Sequence, residues 1–479
     1  MNSGAGHKEK TQNDKDPNRK RTSAILIGLS LINVTLLSMG HATGNTVLVL
    51  LSILMFLWIV LMFPEEYFLP LMIFYLPWSS LLRTHPTTSS FHSIGLLLFL
   101  VLLLIRWLKE GGDLRKPYFA LSILFLTYTM MVKFYNRLAI NPQYIFFVAM
   151  ILFVPIYLER VGEKLTFDRL LLFLTLGNLS ACISSMVYLN NPGVQQFMDI
   201  NEEMIVGLRW SAFYSDPNYF SAQMLVAIAG WLILILHANR RRMALLGILF
   251  VGGLLYFAVQ AVSKAFLLSG ILVLFFWGVH LLLGKKSVLY KFYILLLMGL
   301  AVFWVVKNNV FEEQIRFYLL RFGKVEDAVS LTTGRLGLWQ VYWGYMLEHV
   351  DKLVVGIGLS QDQLQILLHT NNAHMTLIQT VYQVGIIGFA LLLAWWKSIY
   401  GAFAEKSSIG LSNWGAMAIF AVAVIMPWFG LDVLFFREFF YFPIMWMLLK
   451  RYLWERSLEE GVVYHERNAR IGDPQKNQA

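Results

Sequence analysis

Four basic or imidazole side chains stand where an apolar run gives way to polar residues. They are Arg209 in GLRWSAFYSDPNYF, Lys264 in AVQAVSKAFLLSG, Arg335 in LTTGRLGLW and His374 in HTNNAHMTL. Guanidinium and ammonium groups recognise phosphate oxygens through charge-assisted hydrogen bonds of about 1.5–3 kcal/mol each, and the guanidinium fork does so bidentately. An imidazole exchanges a proton near neutral pH. Together these types suit binding of a phosphate or diphosphate and movement of a proton beside it. Asp216, Asn218, Asn371 and Asn372 lie close by in the sequence and suit a sugar or an acceptor hydroxyl.

Each of these residues also fits a plainer role. Arg209 adjoins Trp210 and fits an interfacial arginine whose charge reaches water. Asp216 followed by Pro217 is the pattern of a helix N-cap and first turn. Lys264 falls between two apolar runs with almost no loop to solvate it. At a helix centre a lysine costs about 2.5–3.5 kcal/mol, so a boundary position with a partner or an anionic ligand is expected, or else snorkelling. Thr332, Thr333 and Gly334 fit a tight polar turn that aims Arg335 inward and offers hydroxyls and N–H groups to phosphate. They equally fit a Thr-capped helix start with an exposed Arg. His374 fits a general base, a donor to a leaving phosphate, or a capped surface residue. His369 and His374 are five apart, one past helical i, i+4 spacing, with no acidic pair, so no metal site is implied.

The elements that must position these residues are membrane spans. The 479 residues are 57% hydrophobic and 14% charged, with a mean hydropathy of +0.59, which is the polytopic membrane range rather than that of a soluble globular domain. Apolar runs that match the roughly 20-residue spanning length fall near 23–40, 45–63, 67–82, 92–108, 117–133, 143–158, 169–189, 219–237, 243–262, 265–284, 288–306, 373–396, 412–434 and 437–454. The expected fold class is therefore an all-α polytopic membrane protein of about fourteen helices. Basic residues recur in alternate connections, among them Arg106, Lys109, Arg160, Arg240, Arg241, Lys285, Lys397 and Arg451. That phase puts both termini inside. It also explains the net charge of +10 without nucleic acid. Residues 1–22 read as a disordered cytoplasmic tail without a signal-peptide cleavage site, and 455–479 as a second tail. The membrane domain, 23–454, includes two long external loops, 190–218 and 307–372. Within the second, Phe311–Phe322 and Leu336–His349 show helical patterning, and the aromatics of the latter suit an interfacial helix. Cys182 is the single cysteine, which excludes a disulfide framework. No fixed-period repeat is present.

The order of these motifs carries a resemblance. An external Arg209 precedes DPN (216–218); Ser263-Lys264 marks a helix junction; TTGR (332–335) precedes Trp339. GIG (356–358) follows, and His374 stands eleven residues before Gly385 in GIIG. Over residues 200–390 the chain resembles the O-antigen ligase and O-antigen polymerase superfamily of bacterial polysaccharide assembly. The resemblance implies a C-type glycosyltransferase fold with its active site on the outer face of the bacterial cytoplasmic membrane. It implies a glycan donor on undecaprenyl diphosphate, with Lys264 and Arg335 on the diphosphate and His374 in transfer. No cofactor is implied, and the implied partners are a chain-length regulator and a flippase. Two departures stand out. Lys264 occupies a position where the family more often has Arg, and Met375 one where Asn often follows the His, leaving Asn371 or Asn372 as substitutes.

The expected activity is a metal-independent, inverting polymerase that joins lipid-linked repeat units. The alternative is a ligase that passes finished glycan to lipid A core, a protein or a wall polymer. A lipid or small-molecule transporter is the reading from another class. It expects ionisable residues near helix midpoints, where the spans hold few.

Overall fold

In the computed structural model the described residues are 17–198, 201–203, 207–214, 216–238, 241–284, 286–323, 325, 332, 334–360, 373–406 and 410–471. The helices of seven or more residues are α1 (Pro17–Thr43), α2 (Thr46–Met62), α3 (Phe68–Phe74), α4 (Phe91–Lys109), α5 (Pro117–Tyr135), α6 (Pro142–Val161), α7 (Phe167–Val187) and α8 (Pro217–His237). They continue as α9 (Arg241–Val259), α10 (Lys264–Leu283), α11 (Val288–Lys307), α12 (Glu312–Gly323), α13 (Arg335–Glu348), α14 (Thr376–Phe403), α15 (Leu411–Trp428) and α16 (Glu438–Ile471). One departure from an all-α chain occurs before α8, where β1 (Asn201–Glu203) pairs antiparallel with β2 (Gly207–Arg209), Asn201 opposite Arg209.

Among the described residues, ten helices are long and apolar enough to cross a membrane, and α2 and α15 are shorter apolar helices. Large apolar side chains also cover the outside. Leu283 is 82% exposed, Val288 81% and Phe134 73%, and on α11 only Ile294 is buried. In water such a surface would drive aggregation, whereas against lipid it costs nothing. The chain is a multi-pass membrane protein. Helix α8 forms its centre and is buried along nearly its whole length, with only Asn218 and Tyr219 partly open.

Connections of the same parity gather at the same end of the bundle. At one end, Asn191 donates to Ala42 O (3.0 Å), the His41 ring to Leu81 O (3.0 Å), Asn136 to Ile357 O (2.9 Å) and Thr376 to Leu431 O (2.7 Å). This end carries the long loops. At the other, Glu65 pairs with Arg106 (2.9 Å) and Arg160 (2.8 Å), and Arg451 donates to Gly162 O (3.0 Å).

Several boundaries differ from the sequence expectation. Helix α1 begins at Pro17, inside the stretch read as a tail, and α16 continues past 454 to Ile471. The run 67–82 is a broken element, with 3-10 turns at Glu65–Tyr67 and Leu76–Trp78 around the short α3. Pro64, Pro70 and Pro77 punctuate it, each lacking a backbone donor. The run 412–434 ends as helix at Trp428, and an irregular connection, 429–437, follows. Helix α13 packs one face on α14 through Tyr342 and Met346, while Trp343 and Leu347 on its other face stay exposed.

A tight backbone contact lies inside α14. Gly385 has φ +67° in mid-helix, and a Cβ there would sit 2.3 Å from Val354 O. The interrupted turn frees the carbonyls of Tyr382 and Gln383, which accept from Ile357 N (3.1 Å) and Gly358 N (2.9 Å). Gly385→Ala combines a left-handed φ, worth about 1–3 kcal/mol of strain, with that overlap. It is expected to lower the melting temperature of the purified protein in detergent clearly. Gly401→Ala, in the same helix with open space around it, should leave it unchanged.

Candidate functional site

The site forms at the loop-rich end, around the start of α8. Asp216 caps this helix, its Oδ1 accepting from Asn218 N (2.6 Å) and Tyr219 N (3.3 Å), with Pro217 at the first position. The capping role read from the sequence is therefore filled. Asn218 turns its Oδ1 toward two donors, Ser263 Oγ (2.8 Å) and Arg209 Nη2 (3.5 Å). Arg209 is 7% exposed, and its Nε donates to Ala261 O (3.1 Å). The turn between α9 and α10 thus holds the guanidinium against the helix cap, where an arginine snorkelling into the lipid interface would be exposed.

Lys264 is the first residue of α10, whose N-cap Ser263 accepts from Phe266 N (3.3 Å). Its ammonium lies 5.5 Å from the centroid of the Phe322 ring on α12. Lys264 joins the site through its neighbour Ser263, which bonds Asn218. On this side α12 is fixed by Tyr318, which donates to Ser263 O (3.4 Å), and by Arg321, which donates to Val262 O.

Arg335 opens α13 after Gly334, which has φ +82°. Arg335 N donates to Thr332 O (3.3 Å) and Leu336 N to Thr332 Oγ1 (3.2 Å), so a turn and a Thr cap coexist here. Its guanidinium crosses to the 429–437 connection, where a Cβ on Gly430 would lie 2.6 Å from Nη1. Burial pulls this guanidinium below its ordinary value; Asp216 and Tyr219 pull it back up, and Arg209 adds to the fall. His374 stands two residues before α14. Burial lowers its imidazole below the ordinary value, the Arg335 charge lowers it further, and Asp216 opposes both. Arg335 is therefore within reach of the charges of Arg209 and Asp216, and His374 within reach of those of Arg335 and Asp216, although the four come from separate segments. Trp339 fixes the spacing of the last two, its indole N–H donating to Ala373 O (2.9 Å). Asn371, Asn372, Thr333 and His369 lie outside the described residues.

Among the described residues, three of the five non-glycine residues with positive φ border this site: Ala212 (52°), Val262 (45°) and His374 (48°). For a β-branched residue such as Val262 this conformation is costly, and such strain concentrates at working sites.

Sequence reasoning missed the 429–437 connection, which was absorbed into an apolar run. Asp432 lies within it, 2% exposed, and burial pushes its carboxyl up to about 7. Its Oδ1 accepts from Leu434 N (3.2 Å), and its backbone carbonyl accepts the Tyr219 hydroxyl. The available signal was an acidic residue inside a hydrophobic stretch, which is expensive unless it is used. Among the described residues no three His, Cys, Asp or Glu side chains gather closely enough to hold a metal ion.

Below His374 an apolar cavity of ≈ 630 Å³ opens between α14, α15 and α16. Met375 and Thr376 line it at the site end, Trp396 and Phe439 along its length, and Lys397 and Tyr400 toward the opposite end. The cavity thus begins one residue after His374 in the chain. No protein-family model matches the chain, and no curated protein is significantly similar to it.

The charges around His374 set a pH signature. Its depressed value keeps the imidazole neutral at neutral pH, and it becomes charged only below the ordinary range. Arg335→Gln removes one cause of the depression, so protonation should move to higher pH. Asp216→Asn removes the opposing charge and should move it lower. Mass spectrometry of the His374 peptide after diethylpyrocarbonate labelling, which needs neutral imidazole, reads both shifts.

Proposed function

We propose that this protein is a membrane glycosyltransferase that polymerises polysaccharide from repeat units carried on undecaprenyl diphosphate. The observation that carries the reading is the pairing of two cations near His374, the buried Arg209 and the partly buried Arg335, with an apolar cavity that starts at the next residue, Met375. An amphiphile with an anionic head and a long apolar tail matches both halves. The sequence resemblance over 200–390 points to the same substrate class.

In this mechanism the diphosphate rests on Arg335 and Arg209, with Lys264 at the flank. The acceptor hydroxyl attacks the anomeric carbon of the donor, the carbon–oxygen bond to the diphosphate breaks, and its electron pair leaves with undecaprenyl diphosphate. Neutral His374 takes the hydroxyl proton, an effect typically worth about 10² to 10⁴ in rate. A single displacement inverts the anomeric centre. The guanidinium groups compensate the charge of the leaving group, so the step needs no metal ion. Asp216 and Asn218 hold the guanidiniums in place and border the sugar.

The same reading counts fourteen crossings. To the ten long helices it adds α2, the broken element around α3, α15 and the first half of α16. The end that carries Arg106, Arg160 and Arg451 is cytoplasmic by the positive-inside rule, and the site faces outward. Reporters fused at positions 240 and 340 are then expected on opposite sides of the membrane.

The deciding assay supplies purified protein with undecaprenyl diphosphate-linked repeat units as the only glycan. A ladder on a gel is expected. It should disappear in His374→Ala, fall by at least 10²-fold in Arg335→Ala, and survive exhaustive chelation. Transfer only after a second acceptor is added would make the protein a ligase. No transfer to any acceptor would return the chain to the transporter class.

A further inference from the structure

A second pair of guanidiniums lies at the same end of the bundle. Arg83 belongs to the connection 79–90, and Arg437 ends the connection 429–437. The first connection folds over the start of α4, where Phe91 N donates to Leu82 O (2.8 Å). Two residues on, Ser93 Oγ accepts from Arg437 Nη2. Both arginines therefore border the first turn of α4.

Neither guanidinium is satisfied by the protein. Arg83 Nη1 donates to Pro86 O (2.9 Å), and Arg437 lies 5.2 Å from the Phe146 ring centroid. The Nε atoms of both are buried without a hydrogen-bond partner, and among the described residues neither arginine forms an ion pair. The nearest carboxylate in sequence, Glu438, accepts instead from the Gln223 amide, and Gln223 is in turn held by the Tyr214 hydroxyl. Burial pulls the Arg437 guanidinium below its ordinary value; Tyr441, Glu438 and Tyr214 oppose this, and the Arg83 charge adds to the fall. Two half-buried guanidiniums with open Nε groups call for an anion with several oxygens. The loop behind Arg83 reads THPTTSS and is held by its own hydroxyls, Thr88 donating to His85 O (2.8 Å) and Ser90 to Ser79 O (2.5 Å).

The same connection joins this pair to the first site. Gly430 abuts Arg335, while Arg437 stands seven residues on. Between them Phe436 stacks on Tyr219 of α8 with ring centroids 4.4 Å apart. We propose that Arg83 and Arg437 bind the diphosphate of the second lipid-linked substrate, the acceptor, beside the donor diphosphate on Arg335 and Arg209. This inference rests on the polymerase reading, since only a polymerase needs two lipid diphosphates at once.

Native mass spectrometry of the detergent-purified chain, titrated with undecaprenyl diphosphate, tests it. Two lipids are expected on the native protein. One is expected on Arg335→Gln and one on the double variant Arg83→Gln/Arg437→Gln, with affinity for the lost lipid reduced at least ten-fold. If the double variant fails to fold, Arg83→Gln alone, in a half-buried loop position, gives the same reading. A single lipid on the native chain that depends on Arg335 and ignores Arg83 and Arg437 overturns the second site and leaves the proposed function standing. No bound lipid at all overturns both. A lowered melting temperature with two lipids still bound makes the pair merely structural and overturns the inference. Displacement of the second lipid by excess phosphatidylglycerol makes it an ordinary phospholipid site and overturns the acceptor assignment.

Discussion

The long loop and α14 depend on a join where two backbones meet without side chains between them. Gly356, at φ +83°, and Gly385, at φ +67°, approach so closely that a Cβ on either would overlap main-chain atoms of the other segment. Interrupting a helix inside a membrane protein exposes polar groups, and this is tolerable only where other protein groups satisfy them. Here the GIG segment does so, and the Tyr128 hydroxyl lies within 2.7 Å of Val355 O and 2.9 Å of Val384 O. Lys133, 1% exposed, donates to Leu359 O (2.8 Å) and closes the join. The return of the long loop is thereby fixed in α14, and α13 has a firm base. With α13 held on one side and α14 on the other, Arg335 and His374 are brought within electrostatic reach.

Burial does the remaining work. Placing guanidiniums under protein raises the cost of their charge, and the cap of α8 offsets part of that cost with Asp216. The carboxylate serves two ends. It satisfies backbone donors at the helix start, and it draws Arg335 and His374 to the same point. A structural reading and a functional reading of Asp216 are therefore not in competition, because the capping position is what aims the charge. The same holds at Thr332, whose cap sets the direction in which Arg335 leaves the chain.

How much of this was legible follows from the range of each interaction. Spanning helices are set by local composition, so most appear at their expected places, and Arg209, Asp216, Asn218, Arg335 and His374 were visible because polar residues at the ends of apolar runs are conspicuous. Their convergence was not, since Arg209 and Arg335 are brought together only by contacts across the bundle. Asp432 and Arg437 were hidden for the opposite reason. They sit in FGLDVLFFRE, where the surrounding apolar residues outweigh them in any window average. The break around α3 was missed because Pro70 and Pro77, inside an apolar run, barely change its hydropathy while removing backbone donors. Positive φ at His374 and Val262 leaves no trace in residue type at all.

The distribution of buried charge bears on what kind of work the bundle does. Among the described residues the buried lysine, arginine and carboxylates are Lys133, Arg209, Asp432 and Glu438, and all four lie at the loop-rich end. A protein that carries a polar solute across the membrane needs polar groups near the midplane, where the solute must pause. Here the middle is apolar where it is open, and the cavity beside α14 offers almost no polar wall along its length. Such a cavity suits a hydrocarbon chain and gives little to a hydrated solute. A molecule whose charge is at one end and whose tail runs down the cavity would use both parts without moving its head across the bilayer. That arrangement favours chemistry on the head over transport of it.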